Sequence, residues 1–523
     1  MRKVAVFVEN LAKVFFVVSL IYVFSVISVY AVFHDMVTDM TYAPNLIRKF
    51  GLSNPILMLI GVIVVVASVF VLDKIKNQIH VKNHSVVLLL AIILFFIAKV
   101  FVSLELLFLT EWDAGYMFGV ANAIEAGEVR NDVYFSMFPF NIFLIWYDRI
   151  CIKIGSVFNP NGIMPGLMTE VILNCLWVAI TSYLVFDIIV KLTKSLRVAW
   201  VGWIVFVLFV GTSPWTCIPY TDSLTFVFPT LIFWLYLKFQ DNRRPIWKWM
   251  LLAFVAYMGY RMKGPALLVF LSILLTELLE LMKQKPESVK RVIGALCGMF
   301  AVILLLSKVC IPFLFEHSSI VYDKDHELGM EYVVMSGLSP WDHGTINDAD
   351  YSLAESTDDK DERVSLMIQR IKERLNDYGF IGWVHHQSVK TDIIFNDGTF
   401  AWGQEGNFYR QLFPERDWFS PRLRNLFYST GDNFIIYSTY AHFLWLTVLL
   451  FTIFAVFYKT SEKKYDRIMV VLIMSLAAEF TFAEMAEARA RFLYTYAPLY
   501  VIAATLGVYA LYRIWKKKED ESV

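Results

Sequence analysis

Long apolar runs recur along this chain between short polar segments, and they limit the folds that it can adopt. A helix needs roughly 20 apolar residues to cross the hydrocarbon core of a bilayer. Several runs approach or reach that length, and 58% of the 523 residues are hydrophobic, far more than a soluble core needs. Because a helix satisfies its backbone hydrogen bonds internally, the runs predict an all-α polytopic membrane protein.

We expect about 12 transmembrane helices. The first run is too long for a signal peptide and has no convincing cleavage site, so we interpret it as an uncleaved span. Two neighbouring runs, Trp247–Tyr260 and Pro265–Met282, are short enough to form a hairpin that does not fully cross. The other predicted spans are Val14–Phe33, Pro55–Leu72, Ser85–Thr110, Leu167–Leu192, Ala199–Thr212, Ser223–Leu237, Val292–Phe315, Ile436–Tyr458, Ile468–Phe482 and Phe492–Ile514.

Lys and Arg are distributed unevenly between the loops, and this orients the predicted helices. The 47 basic and 47 acidic residues cancel, which argues against a nucleic-acid partner. Basic residues crowd one set of short loops and both termini, a pattern typical of cytoplasmic segments. We therefore expect a multi-pass plasma-membrane protein with both termini in the cytoplasm. Few cations then lie in the short outer segments, namely Arg48, Lys49, Arg261, Lys263, Arg489 and Arg491.

Two long segments fall on the predicted outer side. In residues 111–166, the apolar stretch Phe138–Val157 contains charged residues that favour interfacial helices, although the sequence leaves open whether it crosses. Residues 316–435 far exceed an ordinary loop and predict an extracytoplasmic domain of mixed structure. The predicted organisation is two spans in 1–84, a membrane module in 85–315, this domain, and three spans with a basic tail in 436–523.

Two acidic residues lie at predicted outer helix ends. A carboxylate such as Asp113, at the boundary between membrane and water, can serve as a general base for a hydroxyl. Its alternative role is that of a solvated helix terminus. Asp222 follows a turn that contains Pro214 and Pro219, at the head of the next helix, where an acid also serves as a cap.

The outer cations suggest an anion-binding site. Arg261 and Lys263 lie in a short hairpin, while Arg489 and Arg491 precede the last span. Guanidinium and ammonium groups bind lipid phosphates well. The alternatives are pairing of Glu487 with Arg491, at i and i+4, and snorkelling to headgroups.

An aromatic loop at residues 395–409 combines glycines, aromatic residues and acids. The face of Trp402 suits a sugar ring, although the aromatic residues can equally pack the loop onto the membrane module. His385 and His386 lack nearby residues at the usual metal-ligand spacing. The five cysteines show no disulfide or zinc pattern, and no glycine-rich phosphate loop or nucleophile elbow is present.

Four motifs carry a resemblance to a known superfamily. The chain resembles the GT-C superfamily of polytopic glycosyltransferases and, more narrowly, integral membrane proteins of Gram-positive bacteria with the same motifs. The layout is similar too, with a large first outer loop in a GT-C-like module and a later outer domain. The motifs are Glu111–Tyr116, Ser213–Asp222, Asn396–Asn407 and Glu487–Tyr494.

The resemblance implies a donor sugar on a polyprenyl phosphate and an acceptor on the outer face. Asp113 occupies the place of the family's first-loop acid, which is usually read as the catalytic base. Arg489 and Arg491 fall where late-helix cations hold the donor phosphate, and Lys263 and Arg261 are further candidates. A single acid stands where many relatives have a pair, so neither a divalent metal nor another cofactor is indicated. The residues expected to bind or orient the sugar are Asp222, Glu405, Trp402, Tyr220 and Asp397.

The sequence thus favours an inverting glycosyltransferase that acts on a cell-envelope glycan or a lipid-linked acceptor. A lipid-linked sugar flippase or transporter is the main alternative, but carriers of this size often contain repeats, and none is visible. A polysaccharide polymerase and a non-catalytic partner protein are further alternatives. The sequence does not name the sugar, the acceptor, the lipid length or the oligomeric state.

Overall fold

The computed structural model describes residues 2–30, 50–75, 83–159, 165–242, 245–283, 289–340, 343–345, 347–405, 409–415, 418–460 and 462–522. The all-α polytopic prediction is confirmed, because ten of the described helices are long and apolar enough to cross a membrane. Of the predicted outer cations, Arg48 and Lys49 lie outside the described residues, as do residues 406–408 of the aromatic loop.

The first half of the chain forms three long helices, a connection of short elements, and a further group of spans. Two predicted spans form helices of only 14 and 17 residues, here named α8 and α11. The elements are α1 (Arg2–Ser25), α2 (Asn54–Ile75), α3 (His84–Glu105), β1 (Phe108–Thr110), α4 (Asp113–Glu125), α5 (Val133–Met137), α6 (Phe140–Phe158), α7 (Pro165–Thr193), α8 (Leu196–Phe209), α9 (Thr221–Thr225), α10 (Val227–Phe239), α11 (Ile246–Met262) and α12 (Leu268–Lys283).

The second half contains one span that continues through a π-helical turn, then the long connection, then three closing spans. The polar connection is mainly helical, with one strand in its described part. Its elements and their neighbours are α13 (Val289–Leu305), α14 (Ile311–Glu316), α15 (Met330–Gly337), α16 (Asp348–Glu355), α17 (Lys360–Phe395), α18 (Trp402–Glu405), β2 (Tyr409–Leu412), α19 (Phe419–Phe427), α20 (Phe434–Thr452), α21 (Asp466–Met485), α22 (Arg491–Tyr494) and α23 (Ala497–Ser522).

The span α7 lies in the middle of the bundle, where it packs against α3, α6, α8, α10 and α23. The amphipathic helix α6 is not among the ten candidate spans and lies along α7. Its buried Asp148 meets Glu170 of α7, whereas Lys153 of the same stretch is exposed. Most of α7 is buried, while Ile172, Leu176 and Tyr183 are exposed along it.

The two long connections meet on one side of the bundle. Strand β1 follows α3 and pairs antiparallel with β2 of the second connection. A separate backbone bridge joins Arg130 to Ile320. We call this end the site side.

The opposite end carries the basic loops. Asp241 pairs with Lys191 and Lys464, each over 2.8 Å, and Lys283 pairs with Glu9 over 2.5 Å. These ion pairs join helix ends and loops that are distant in sequence. The segregation agrees with the predicted orientation, whose assignment to cytoplasm and exterior stays a prediction.

Two predicted spans have different bounds. The run Ser85–Thr110 does not stay helical, because α3 ends at Glu105 and Phe108–Thr110 take their backbone partners from β2. The last span begins at Ala497 rather than Phe492, with Arg491–Tyr494 forming a separate short helix. Pro498 then occupies the first turn of α23, where its missing N–H costs no helical hydrogen bond.

Candidate functional site

Asp113 is the first residue of α4 and is held close to strand β1. Trp112 before it is extended, and the Gly115 N–H donates to Thr110 Oγ1 over 2.9 Å. A Cβ at Gly115 would lie 1.9 Å from the Thr110 carbonyl oxygen, so only glycine permits this approach. The order Asp-Ala-Gly thus fixes the carboxylate at the edge of the sheet.

Two tyrosine hydroxyls lie against the Asp113 carboxylate. Tyr220 Oη donates to Asp113 Oδ2 over 3.2 Å. Asn141 Nδ2 donates to Tyr134 Oη over 3.0 Å, which leaves the Tyr134 proton directed elsewhere. Burial, together with the nearby Asp113 carboxylate, raises the pKa of Tyr134 and of Tyr220 well above the usual value. Both hydroxyls therefore stay protonated, and that of Tyr220 donates to Asp113.

Asp222 lies in the first turn of α9 and is fully buried. Its Oδ1 accepts from Lys263 Nζ, and its Oδ2 lies 3.7 Å from Arg491 Nε. Burial lowers the pKa of Lys263 to about 8, although the Asp222 carboxylate opposes this shift. Asp222 does not cap the helix, whose N-cap residue is Tyr220, and its carboxylate instead pairs with two of the predicted phosphate-binding cations.

Glu405, the last residue of α18, meets residues 487–491, which precede the final span. We call these residues the arginine segment. Its Oε2 accepts from Arg491 Nη1, and its Oε1 lies 3.6 Å from Arg489 Nη1. Arg489 Nε also donates to Glu487 Oε1 over 2.7 Å. The predicted alternative paired Glu487 with Arg491, but Glu487 pairs with Arg489, and Arg491 finds its acidic partners in distant segments.

Arg491 lies between aromatic faces as well as carboxylates. Its guanidinium carbon is 5.1 Å from the centre of the Trp112 ring and 5.4 Å from that of Tyr220. The two rings meet edge to face, with centres 4.9 Å apart. Trp112 also donates its indole N–H to the Glu405 carbonyl oxygen over 3.1 Å. A cation held over aromatic faces keeps its charge at modest desolvation cost.

Three buried polar atoms of this cluster lack a hydrogen-bond partner in the part of the chain that the structure describes. They are Arg491 Nε, Asp222 Oδ2 and Glu405 Oε1. Buried polar atoms are normally satisfied, so each exception requires a reason. Here Arg491 Nε and Asp222 Oδ2 face each other over 3.7 Å, and Glu405 Oε1 faces Arg489 Nη1 over 3.6 Å, so each lies at ion-pair distance from an opposite charge.

Asp397 and Trp402 stabilise the loop that carries Glu405. Asp397 Oδ1 accepts from the Thr399 N–H over 2.8 Å, and its Oδ2 accepts from the Ala401 N–H over 2.9 Å. Trp402 is 1% exposed and donates to the Phe427 carbonyl oxygen over 2.7 Å. In this structure Asp397 organises its own loop, and Trp402 packs the loop as the alternative interpretation expected.

Arg261 lies apart from the other predicted cations. Its guanidinium carbon is 5.3 Å from the centre of the Phe143 ring and 5.6 Å from that of Phe315. The buried Arg261 Nε has no hydrogen-bond partner among the described residues. Arg261 is therefore not part of the cluster that Lys263, Arg489 and Arg491 form.

A buried lysine that the sequence did not point to, Lys390, anchors the arginine segment. Lys390 is fully buried, and its Nζ donates to the carbonyl oxygens of Gly337, Glu484 and Ala486 over 2.9, 2.7 and 2.8 Å. These bonds fix the backbone that leads into the arginine segment. A single lysine in a polar helix such as α17 is ordinary, so the sequence did not indicate this role for Lys390.

A second missed lysine lies within a span, and here the sequence did hold a signal. Lys99 is a lone cation in the apolar run of α3, and intramembrane charges usually mark functional or structural sites. Its Nζ donates to the Ser213 carbonyl oxygen. Lys99 thus holds the start of the turn that leads to Tyr220 and Asp222.

Among the described residues, no group of three or more His, Cys, Asp or Glu side chains is placed to hold a metal ion. The curated proteins contain no match to the sequence. A family model described as "conserved hypothetical integral membrane protein" matches residues 3–510. Because this match spans nearly the whole sequence, the chain belongs to that family of integral membrane proteins.

Proposed function

We propose that the protein is an inverting glycosyltransferase. It moves a sugar from a polyprenyl-phosphate donor to a cell-envelope glycan or lipid-linked acceptor on the outer face of the membrane. The observation that carries this proposal is the contact of Tyr220 with both Asp113 and Arg491. It brings a candidate base and a candidate phosphate-binding cation to two sides of one aromatic ring.

Asp113 is the proposed general base. A carboxylate can accept a proton from an attacking hydroxyl when it lies within hydrogen-bond reach of it. Asp113 is only partly buried, so an acceptor can approach it from the site side. The hydroxyls of Tyr134 and Tyr220 would fix its orientation, as second partners fix catalytic groups elsewhere.

Arg491, Arg489 and Lys263 are the proposed phosphate-binding residues. Charge develops on the phosphate oxygen as the lipid leaves, and fixed cations in a water-poor site stabilise that charge strongly. The cations are already opposed by Asp222, Glu405 and Glu487. A donor phosphate must therefore displace the Asp222 carboxylate from Arg491 Nε or the Glu405 carboxylate from Arg491 Nη1.

Asp222 and Glu405 are the proposed sugar-orienting residues. Each has one buried carboxylate oxygen without a hydrogen-bond partner within the described ranges of the chain. Carboxylate oxygens accept readily from sugar hydroxyls. Both acids therefore fit hydroxyls close to the phosphate, whereas Trp402 and Asp397 support the site from behind.

The proposed reaction is a single displacement. The acceptor oxygen attacks the anomeric carbon while its proton passes to Asp113. The bond between that carbon and the phosphate oxygen breaks, and its electron pair stays on the phosphate. The products are an inverted glycoside and free polyprenyl phosphate.

The test is release of polyprenyl phosphate from a panel of polyprenyl-phosphate sugars in liposomes that contain the purified protein and candidate acceptors. Asp113→Asn should abolish release without loss of expression or thermal stability. Asp348→Asn is the matched control, because Asp348 is an exposed acid in the first turn of α16.

Three results would count against this proposal. Unchanged release by Asp113→Asn would remove Asp113 as the base. Movement of the lipid-linked sugar between leaflets without release of polyprenyl phosphate would favour the flippase. Products that grow by repeated units would favour the polymerase.

A further inference from the structure

The helix α17 consists of two arms that meet at Gly379. This residue has φ 54° and ψ −171°, and the positive φ lies in the region that favours glycine. The first arm, residues 360–378, packs on α15 and α16. The second arm, residues 380–395, takes a new direction set by the break.

The second arm lies against the membrane-spanning bundle. Thr391 Oγ1 donates to Glu484 Oε1 over 2.8 Å and lies 3.3 Å from Tyr22 Oη, while Ser388 Oγ is 3.5 Å from Tyr22 Oη. Tyr22 and Glu484 belong to α1 and α21, which are both candidate spans. This part of the long connection therefore reaches the depth of the ends of the spans.

The side of the second arm that contacts α1 extends toward Gly379, past the last residue that touches α1. Positions 384 and 381 precede Ser388 by four and seven residues and so share its side of the helix. Ile381 is 83% exposed and the adjacent Phe380 is 79% exposed, and Val384 and Trp383 are exposed as well. We call Phe380, Ile381, Trp383 and Val384 the apolar patch.

The apolar patch is continuous with a surface that must face lipid. Val18 and Ile21 of α1, and Val29 of the π-helical turn that follows it, are exposed within the first candidate span, and Ile21 is adjacent to Tyr22. In an integral membrane protein, such side chains contact acyl chains. Tryptophan is enriched where the acyl region meets the headgroups, and Trp383 fits that level.

We propose that the apolar patch inserts into the bilayer leaflet on the site side and anchors the long connection to the membrane. The occupant of this surface is lipid. The inference rests on the break at Gly379 and the contacts with α1, and it is independent of the proposed glycosyltransferase activity. It makes this part of the predicted extracytoplasmic domain a membrane-inserted segment.

The test measures membrane depth at one position in each arm. In full-length protein with Cys297→Ser and Cys310→Ser, a single accessible cysteine is introduced by Ile381→Cys and labelled with an environment-sensitive fluorophore. Ile368→Cys is the matched control, because Ile368 is an exposed isoleucine in the first arm. Val384→Cys supplies a second patch position if the first variant fails to fold.

In liposomes, the label at position 381 should emit at shorter wavelength and lose emission when nitroxide-bearing lipids are added. The label at position 368 should show neither change. Equal quenching at both positions, or no quenching at position 381, overturns the proposal. Disulfide cross-linking between copies of the Ile381→Cys variant, without lipid quenching, would assign the patch to a second copy and also overturn it.

Discussion

The Tyr220 hydroxyl donates to the Asp113 carboxylate over 3.2 Å, although the two residues are 107 positions apart. The ring of the same tyrosine lies beside the Arg491 guanidinium, 5.4 Å from ring centre to guanidinium carbon. One side chain therefore contacts both groups to which the proposal gives chemical roles. Its hydroxyl and its ring can be changed separately.

Tyr220→Phe removes the hydroxyl and keeps the ring. Under the proposed mechanism, Asp113 loses one of its donors, and a hydrogen bond to a charged group contributes about 1.5–3 kcal/mol. We expect turnover to fall by about 10- to 100-fold with little change in the KM for the donor, because the ring beside Arg491 remains. Steady-state kinetics in liposomes measures both constants. A large rise in donor KM at normal turnover would contradict this assignment.

Glu405→Gln keeps the shape of the side chain and removes the charge that opposes Arg491 and Arg489. We expect tighter binding of polyprenyl phosphate, because the anion no longer competes with a carboxylate for the guanidinium group. We also expect lower thermal stability, since breaking a buried ion pair typically costs about 3–5 kcal/mol. Binding of polyprenyl phosphate is measured alongside the melting temperature. Unchanged or weaker phosphate binding would mean that the ion pair of Glu405 with Arg491 has only a structural role.

The sequence predicted the parts of this molecule that depend on local pattern. Apolar runs marked the spans, and unevenly distributed cations marked one end of the bundle. Val364, Met367 and Ile371 likewise repeat at helical spacing within α17. These features depend on helical periodicity and on the thickness of a bilayer, both of which act locally.

The candidate site was predicted less completely because its contacts are distant in sequence. Asp113, Asp222 and Arg491 were identified singly, but nothing in the sequence paired Arg491 with Glu405, 86 residues away. Trp402 and Asp397 were selected for residue type, which does not distinguish a ligand-facing side chain from a packed one. Lys390 was missed because its partners are backbone carbonyl groups, which any sequence supplies.

Lys263 should produce a pH dependence of donor binding. Burial lowers its pKa to about 8, so the ammonium is mostly protonated below pH 8 and becomes neutral above it. If Lys263 helps to hold the donor phosphate, the KM for the donor rises as the pH increases through 8. Lys263→Arg keeps the charge throughout this range and should flatten the rise. A persistent rise in Lys263→Arg would assign the pH dependence to another group.

Lys390→Met should shift the arginine segment without touching a ligand. The methionine has similar length but no donor, so the carbonyl groups of Gly337, Glu484 and Ala486 lose a shared partner. Each unsatisfied buried group costs about 1–3 kcal/mol, so we expect a lower melting temperature. We further expect the KM for the donor to rise more than the KM for the acceptor, because the phosphate-binding arginines lie in this segment while the proposed base does not. Lys390→Arg is the conservative variant that can restore part of the bonding. Equal changes in both KM values would reduce Lys390 to a general stabiliser of the fold.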